Sequence, residues 1–243
     1  MELHYYESLP STNRTAYEAA RAGAGEFYTV AAKSQTAGRG RMERSFHSPV
    51  GGTYFSTVLR PKCPVSAYGT ITPVAAVAVH RALLAVTGVR TEIKWINDLL
   101  LDRKKVCGIL AESGTDENGE GFVILGIGIN TADVDFPPEL WDRADFIPVS
   151  DPTVLIGAIL AELFEYEQMI QSGEWHSYYK ENCVFLGERV LVTDHNGSRV
   201  GRALDILKDG ALCVEFGEGV VEELRGGEIS LRSAQIEQKR HIL

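Results

Sequence analysis

Cysteine and histidine are few in this sequence and lie far apart. The four cysteines, Cys63, Cys107, Cys183 and Cys213, form no C-x-x-C pair, and the six histidines include no H-E-x-x-H motif. Zinc sites and disulfide frameworks need closely spaced or paired ligands. We therefore expect reduced thiols, no metal held by protein ligands and a cytoplasmic location.

Long apolar runs, a leader segment and an excess of basic charge are also lacking. The apolar run 74–79 is followed at once by His80 and Arg81, far short of the roughly 20 residues that span a bilayer. Residues 1–10 contain no basic or apolar leader region. The 24 Lys and Arg against 33 Asp and Glu give a net charge of −9, which disfavours non-specific binding to nucleic acid phosphates. We therefore expect no membrane and no DNA partner, and any bound anion must meet a local basic patch.

The hydrophobic pattern predicts two domains in the 243 residues. Strand-like and helical segments alternate up to about residue 186, with predicted strands at 3–9, 27–32, 53–59, 92–95, 105–112 and 121–129, and predicted helices after 11–13 and at 73–86, 153–170 and 174–183. Five short β-prone runs follow, separated by pairs such as Asn-Gly, Asp-Gly and Gly-Gly, which are typical of tight turns. We predict a mixed α/β domain over residues 1–186, and a small closed β-barrel with a tail over residues 187–243.

One stretch reverses the charge of the chain. Residues 33–62 carry six basic side chains and one acid, a local charge of +5, and they include Gly38-Arg39-Gly40-Arg41 with Arg44 close behind. Glycine lets a backbone approach a ligand closely, and arginine offers forked donors to phosphate or carboxylate. The segment is neither a G-x-G-x-x-G nor a Walker A motif. A solvated basic loop is the plainer interpretation of the same residues.

Three later segments also suggest a site, although each has a structural alternative. Residues 94–98 read K-W-I-N-D, in which Asn-Asp is typical of a turn. Residues 104–112 place lysines before a strand in which Gly108 would admit a ligand, or simply before a core strand. Residues 126–130 read G-I-G-I-N, and glycine inside a buried strand is costly unless something packs against the backbone there.

Together, and in this order, the segments resemble the catalytic domain of the biotin protein ligases, or biotin–[acetyl-CoA carboxylase] ligases. That family's signature is S-T-N near the start, then Q-x-x-G-R-G-R-x-x-R-x-W-x-S-P, K-W-P-N-D, K-x-x-G-I-L-x-E and G-x-G-I-N. The corresponding segments here are S-T-N at 11–13, QTAGRGRMERSFHSP at 35–49, KWIND at 94–98, KVCGILAE at 105–112 and GIGIN at 126–130. Phe46 replaces the usual tryptophan and Ile96 the usual proline. The resemblance covers residues 8–131, and it implies a mixed sheet with packed helices followed by an SH3-like barrel.

The resemblance implies an ATP-dependent ligase that works in two steps. The biotin carboxylate attacks the α-phosphate of Mg²⁺-ATP to give biotinyl-5′-AMP, and a lysine of a biotin carboxyl carrier domain then displaces AMP. By motif position, the catalytic residues are Lys105, Arg39, Arg41 and Asp98. The biotin site comprises Ser11, Thr12, Asn13, Gln35, Gly38, Arg39, Gly40, Arg41, Lys105 and Gly108. The nucleotide site comprises Arg41, Arg44, Phe46, Asn97, Ile127 and Asn130.

The resemblance also implies several properties beyond the site. The first strand begins almost at Met1, so we expect the short form of the family, without an N-terminal DNA-binding domain. Asp98 would orient either Lys105 or the incoming lysine, and the loop 38–45 would close over the ligands. A homodimer through the central sheet is the expected assembly, by analogy alone. A lipoate or octanoate ligase and a non-catalytic biotin-binding module are the alternatives.

Overall fold

A seven-stranded mixed sheet forms the larger part of the computed structural model, which describes residues 2–134, 136–194, 197–226 and 230–233. Its strands are β1 (Glu2–Tyr6), β2 (Tyr28–Ala32), β3 (Thr53–Leu59), β4 (Glu92–Lys94), β5 (Asp98–Leu101), β6 (Lys104–Thr115) and β7 (Gly121–Ile129). They lie in the order β1-β2-β3-β7-β6-β5-β4. The β1–β2 pair is parallel, and the remaining pairs are antiparallel.

Helices cover both faces of this sheet. They are α1 (Thr12–Arg21), α2 (Ile71–Thr87), α3 (Pro152–Leu163), α4 (Tyr166–Ser172) and α5 (Glu174–Asn182). The first helix, α1, packs on one face through a small apolar cluster that includes Ala16, Ala20 and Phe122. The opposite face is covered chiefly by α2, which ends at Gly88 in a left-handed conformation (φ 72°), as a glycine C-cap allows.

The helix α2 is apolar enough to raise the question of a membrane. Together with the 3₁₀ turn before it, it forms Val65–Thr87, the one helical segment among the described residues with the length and composition of a membrane span. Its most apolar window is 67% buried inside the protein. That burial is typical of the core helix of a globular domain.

The second sheet contains five antiparallel strands. They are β8 (Arg189–Asp194), β9 (Gly197–Ile206), β10 (Leu212–Phe216), β11 (Val220–Leu224) and β12 (Ser230–Ser233), in the order β11-β10-β9-β8-β12. Among the described residues, no ladder joins the edge strands β11 and β12. Apolar residues of this sheet, including Val190, Val214 and Leu224, belong to the same core cluster as the α2 face of the first sheet.

The predicted elements are largely confirmed, with three differences. The strands at 53–59 and 121–129 have the predicted bounds, and helix α2 extends the predicted one by a few residues. The first four C-terminal runs are strands; of the fifth, 228–231, residues 230 and 231 belong to β12, and residues 228 and 229 lie outside the described residues. The helix predicted at 153–170 is two helices, α3 and α4, because the chain leaves helical geometry at Glu165. Aromatic residues on either side of Glu165 are anchored elsewhere: the Phe164 ring stacks on Phe27, and the Tyr166 hydroxyl donates to Glu26.

Strand β5 is the second difference. The Asn97-Asp98 pair predicts a turn, and residues 95–97 form one. Asp98, however, begins a strand that pairs with β4 on one side and β6 on the other. The predicted first strand is also shorter than expected, because it ends at Tyr6.

Candidate active site

A cleft lies on the α1 face of the first sheet, over the middle of β6 and β7. Many of the predicted residues line it: Ser11, Thr12, Asn13, Gln35, Arg39, Gly40, Arg41, Phe46, Asn97, Lys105, Gly108 and Ile127. An adjoining hollow, open toward the glycine–arginine loop, adds Arg44, Lys94 and Asp98. The fold therefore brings together residues that are up to 116 positions apart in the chain (11 to 127).

Glycines form the floor of the cleft. Gly108 on β6 pairs directly with Gly128 on β7, and the ring of Phe46 lies over both. A Cβ atom added to Gly108 would lie 2.9 Å from the Phe46 ring, and one added to Gly128 would lie 2.6 Å from it. Any larger residue would therefore displace the ring, which explains why glycines occupy these two positions inside the strands.

The N-terminal end of α1 forms one wall. Ser11 is the N-cap residue and is buried, but its side chain makes no capping hydrogen bond. Gln35 Oε1 accepts hydrogen bonds from the Thr12 backbone N–H at 2.8 Å and the Thr12 hydroxyl at 3.1 Å. Gln35 Nε2 donates to Ser48 Oγ at 2.9 Å. This wall presents backbone and hydroxyl donors at the positive end of a helix dipole.

Asn13 is held by two residues that the sequence analysis did not assign. Its Nδ2 donates to Glu112 Oε2 at 2.8 Å, and its Oδ1 accepts from Ser56 Oγ at 2.6 Å. Glu112 also pairs with Arg39, with Nη1 3.1 Å from Oε1. The last letter of K-V-C-G-I-L-A-E could have identified Glu112, whereas a lone serine inside the buried strand β3 carries no sequence signal.

A carboxylate between two lysines forms the opposite end of the site. Asp98 Oδ1 lies 2.7 Å from Lys105 Nζ, and Asp98 Oδ2 lies 3.6 Å from Lys94 Nζ. Burial alone would raise the pKa of Asp98, but Lys105 and Lys94 outweigh it and hold that pKa below its usual value. Asp98 thus contacts Lys105 directly, and its expected role toward Lys105 or the incoming lysine stays a prediction.

The glycine–arginine loop is a short hairpin over the cleft. Its stem is closed by hydrogen bonds from Gly40 N to Arg44 O at 2.7 Å and from Phe46 N to Gly38 O at 2.9 Å. Arg41 reaches inward, where its Nη1 donates to Asn97 Oδ1 at 2.9 Å. Burial lowers the pKa of the Arg41 guanidinium, although nearby Asp98 opposes the shift. A half-buried guanidinium on a loop is a strong attractor for an anion.

Gly38 and Asn130 do not line the cleft. Gly38 packs beneath the loop, where a side chain would collide with the Phe46 carbonyl and Ser48. Asn130 Nδ2 donates to Asp145 O at 2.8 Å, and Asp145 N in turn donates to Lys105 O at 3.0 Å. Asn130 therefore ties the segment that carries the exposed Trp141 to the strand that carries Lys105.

The site as a whole is suited to anions and to one flat, partly polar ligand. Three cationic side chains, Arg39, Arg41 and Lys105, surround a glycine floor beside a wall of hydrogen-bond donors. In the part of the chain that the structure describes, no group of three or more His, Cys, Asp or Glu side chains could hold a metal ion. Fold and site together are those of a mixed α/β protein with a cationic, glycine-floored cleft suited to anionic ligands.

Comparison with known proteins assigns the family. Residues 5–130 match the model of the biotin/lipoate A/B protein ligase family, and residues 185–232 match the biotin protein ligase C terminal domain. The chain belongs to this family. It is 36% identical over 229 residues to the bifunctional ligase/repressor BirA of Bacillus subtilis, which covers 90% of this chain and 70% of that protein.

A second relative and a solved structure agree. The biotin–[acetyl-CoA-carboxylase] ligase of Mycobacterium tuberculosis is 31% identical over 245 residues, covering 95% of this chain and 90% of that protein. The biotin protein ligase from Aquifex aeolicus, solved in complex with biotin and ATP, superposes with a TM-score of 0.82 at 27% identity, covering 96% of this chain and 99% of that one. The predicted family and fold class are confirmed.

Proposed function

We propose that this protein is a biotin–protein ligase that adenylates biotin and transfers the biotinyl group to a lysine of a biotin carboxyl carrier domain. The observation that carries the proposal is the Lys105–Asp98 pair, whose lysine shares one glycine-floored cleft with Arg39 and Arg41. A solved relative of the same fold binds biotin and ATP. The two-domain division at residues 186 and 187 belongs to the same proposal.

The first step has to bring a carboxylate and a triphosphate together. Lys105 and Arg41 supply positive charge at the inner end of the cleft, and Arg44 adds charge at its mouth. Preorganised cations and donors placed where charge accumulates are the main source of catalysis in such reactions. Mg²⁺ would enter with ATP as part of the substrate, and Asn97, which lines the cleft, would lie on the nucleotide side.

The second step requires the adenylate to stay away from water until the carrier lysine arrives. The loop hairpin and Phe46 cover the glycine floor and can serve as that shield. The carrier domain would dock beside the basic loop or pair with a strand edge. We further propose a cytoplasmic enzyme that forms a homodimer through the central sheet and does not bind DNA.

A lipoate or octanoate ligase is the alternative that the shared family name keeps open. The match of residues 185–232 to the biotin protein ligase C terminal domain favours biotin. A non-catalytic binding module would not need the inner cations, yet Arg41 and Lys105 are both present and partnered.

The deciding experiment is biotin-dependent exchange of labelled pyrophosphate into ATP. We expect exchange with biotin and none with lipoate, and a rise in Tm with biotin but not with lipoate. Exchange that depends on lipoate would select the alternative. Absence of exchange with either acid, despite a rise in Tm with biotin, would indicate a binding module.

A further inference from the structure

The Asn13 amide is enclosed by hydrogen-bonding groups at both of its ends. Asn13 is only 5% exposed, and its amide lies on the bare backbone of Gly126. Nδ2 donates to Glu112 at 2.8 Å, and Oδ1 accepts from Ser56 at 2.6 Å. The amide nevertheless lines the cleft, so its orientation decides what it offers there.

The charge of Glu112 determines that orientation. An ionised carboxylate accepts hydrogen bonds but cannot donate them. The Asn13 group beside Glu112 must therefore be the NH₂, and the amide oxygen must face Ser56, whose hydroxyl can donate to it. An amide at position 112 could accept or donate, and the Ser56 hydroxyl could do the same, so both orientations of Asn13 would then be satisfied.

Glu112 also connects two walls of the cleft. Its second oxygen, Oε1, lies 3.1 Å from Arg39 Nη1, at the stem of the glycine–arginine loop. The Arg39 side chain is 56% exposed, and ion pairs that reach solvent to this extent add little to stability. This pair therefore contributes mainly to geometry. One carboxylate on β6 holds both Asn13 in the α1 wall and Arg39 in the loop stem.

We propose that Glu112, assisted by Ser56, is a positioning residue for recognition of a cyclic urea. This inference rests on the proposed function, since the head of biotin is such a urea, with one acceptor oxygen and two N–H donors. A wall whose hydrogen-bond donors and acceptors keep one arrangement binds that head more tightly than a wall in which they exchange between two arrangements. Glu112 acts through Asn13 and Arg39 and touches no reacting atom.

The test compares Glu112→Gln with Glu117→Gln, a control in the exposed turn of the same β6–β7 hairpin. Titration calorimetry with biotin alone should show roughly 10- to 100-fold weaker binding for Glu112→Gln, the range expected for loss of one charge-assisted contact. In pyrophosphate exchange the KM for biotin should rise. The KM for ATP, and kcat at saturating biotin, should stay close to those of the control, because the carbonyl oxygen of the introduced glutamine can still accept from Arg39. A merely structural defect would instead lower kcat and Tm.

A double-variant cycle tests the orientation itself. Asn13→Asp places a second carboxylate opposite Glu112, so we expect a larger loss of biotin affinity than for Glu112→Gln. Combining the two changes should restore part of that affinity, because the amide introduced at position 112 can donate to the carboxylate introduced at position 13. Losses that simply add would overturn the proposal.

The outcomes separate this inference from the proposed function. If the unmodified chain shows no biotin-dependent exchange and no biotin binding, both fail. If it shows them and Glu112→Gln binds biotin as tightly as Glu117→Gln does, only the positioning role is overturned. Should Glu112→Gln not fold, as judged by its Tm, Asn13→Asp decides the matter, and unchanged biotin affinity in that variant overturns the proposal.

Discussion

At the scale of single residues, the candidate site is a set of charges that hold one another in place. Asp98 fixes Lys105, Asn97 holds Arg41, and Glu112 holds Arg39. Each cation therefore keeps a defined direction through a polar partner on the β4–β6 side of the sheet. Preorganisation of this kind avoids the cost of arranging charges during the reaction.

Lys105 is the residue on which adenylation should depend most. We predict that Lys105→Ala loses about 2–4 kcal/mol of transition-state stabilisation, the scale of one preorganised donor. Lys104→Ala is the control, because alternate residues of a strand face opposite ways and only Lys105 lines the cleft. Pyrophosphate exchange measures both variants, and equal losses would contradict the assignment.

Arg41 is expected to retain the adenylate. Arg41→Gly removes a charge-assisted contact of about 1.5–3 kcal/mol, so we expect biotinyl-AMP to escape roughly 10- to 100-fold faster. Adenylation should continue, because Arg39, Arg44 and Lys105 remain. Incubation with biotin, Mg²⁺-ATP and serum albumin, followed by a biotin blot, should reveal labelled albumin. A variant with neither exchange nor labelling would give Arg41 a role in the chemistry instead.

The sequence predicts single residues unevenly. Residues in glycine- and arginine-rich motifs could be assigned because their spacing is rare, and most of them line the cleft. Ser56 could not be given a role, since a buried serine is explained equally well by ordinary packing, whereas Glu112 ends the K-V-C-G-I-L-A-E motif and could have been assigned from it. Asn130 follows a motif, but its contacts run to the backbone of the segment behind the site.

At the scale of elements, two facing glycines allow a loop to rest on a sheet. Gly108 and Gly128 lie opposite each other on β6 and β7, and the Phe46 ring fills the space that their side chains would take. The apolar, strand-forming character of these segments could be read from the sequence. The short strand β5 could not, because an Asn-Asp pair marks turns and strand starts alike.

The glycine floor gives a prediction about the loop. In Gly128→Ala the new methyl group would lie 2.6 Å from the Phe46 ring, so we expect the ring to lift and the loop hairpin to open. Limited trypsin digestion should then cut faster at the arginines of residues 39–44.

The matched control is Gly157→Ala, in helix α3. A Cβ atom at Gly157 meets nothing within 4 Å, so this change should raise the free energy of unfolding by about 0.5–1 kcal/mol through helix propensity. Its loop should be cut at the wild-type rate. Equal digestion rates for the two variants would show that the position of the Phe46 ring does not depend on the glycine floor.

At the scale of the whole molecule, the two sheets share one apolar core. Trp95 of the K-W-I-N-D segment is buried, and its Nε1 donates to the carbonyl of Gly210 in the β9–β10 turn at 2.9 Å. A Cβ atom added to Gly226 would lie 3.5 Å from Ile96 Cδ1. The C-terminal sheet therefore packs directly behind the turn that positions Asn97 and Asp98, a relation that no sequence pattern could reveal because it joins distant segments.

Removing the C-terminal sheet should show separately what it contributes to stability and what it contributes to biotin transfer. A chain that ends near Leu186 is expected to fold its first sheet, to unfold at lower urea because part of the core is lost, and to transfer biotin poorly to a carrier domain. Trp95→Phe in the full chain isolates the one hydrogen bond and should cost about 1 kcal/mol of stability. Full transfer activity in the shortened chain would show that the sheet is dispensable.

The uneven exposure of the tryptophans gives the protein an optical reporter of its own. Trp95 and Trp175 are buried, whereas Trp141 is 63% exposed. Acrylamide in solution should therefore quench mainly the long-wavelength fluorescence of Trp141. Because Asn130 ties the Trp141 segment to the strand of Lys105, a ligand that shifts that strand should change the quenching, and binding could be followed without any attached dye.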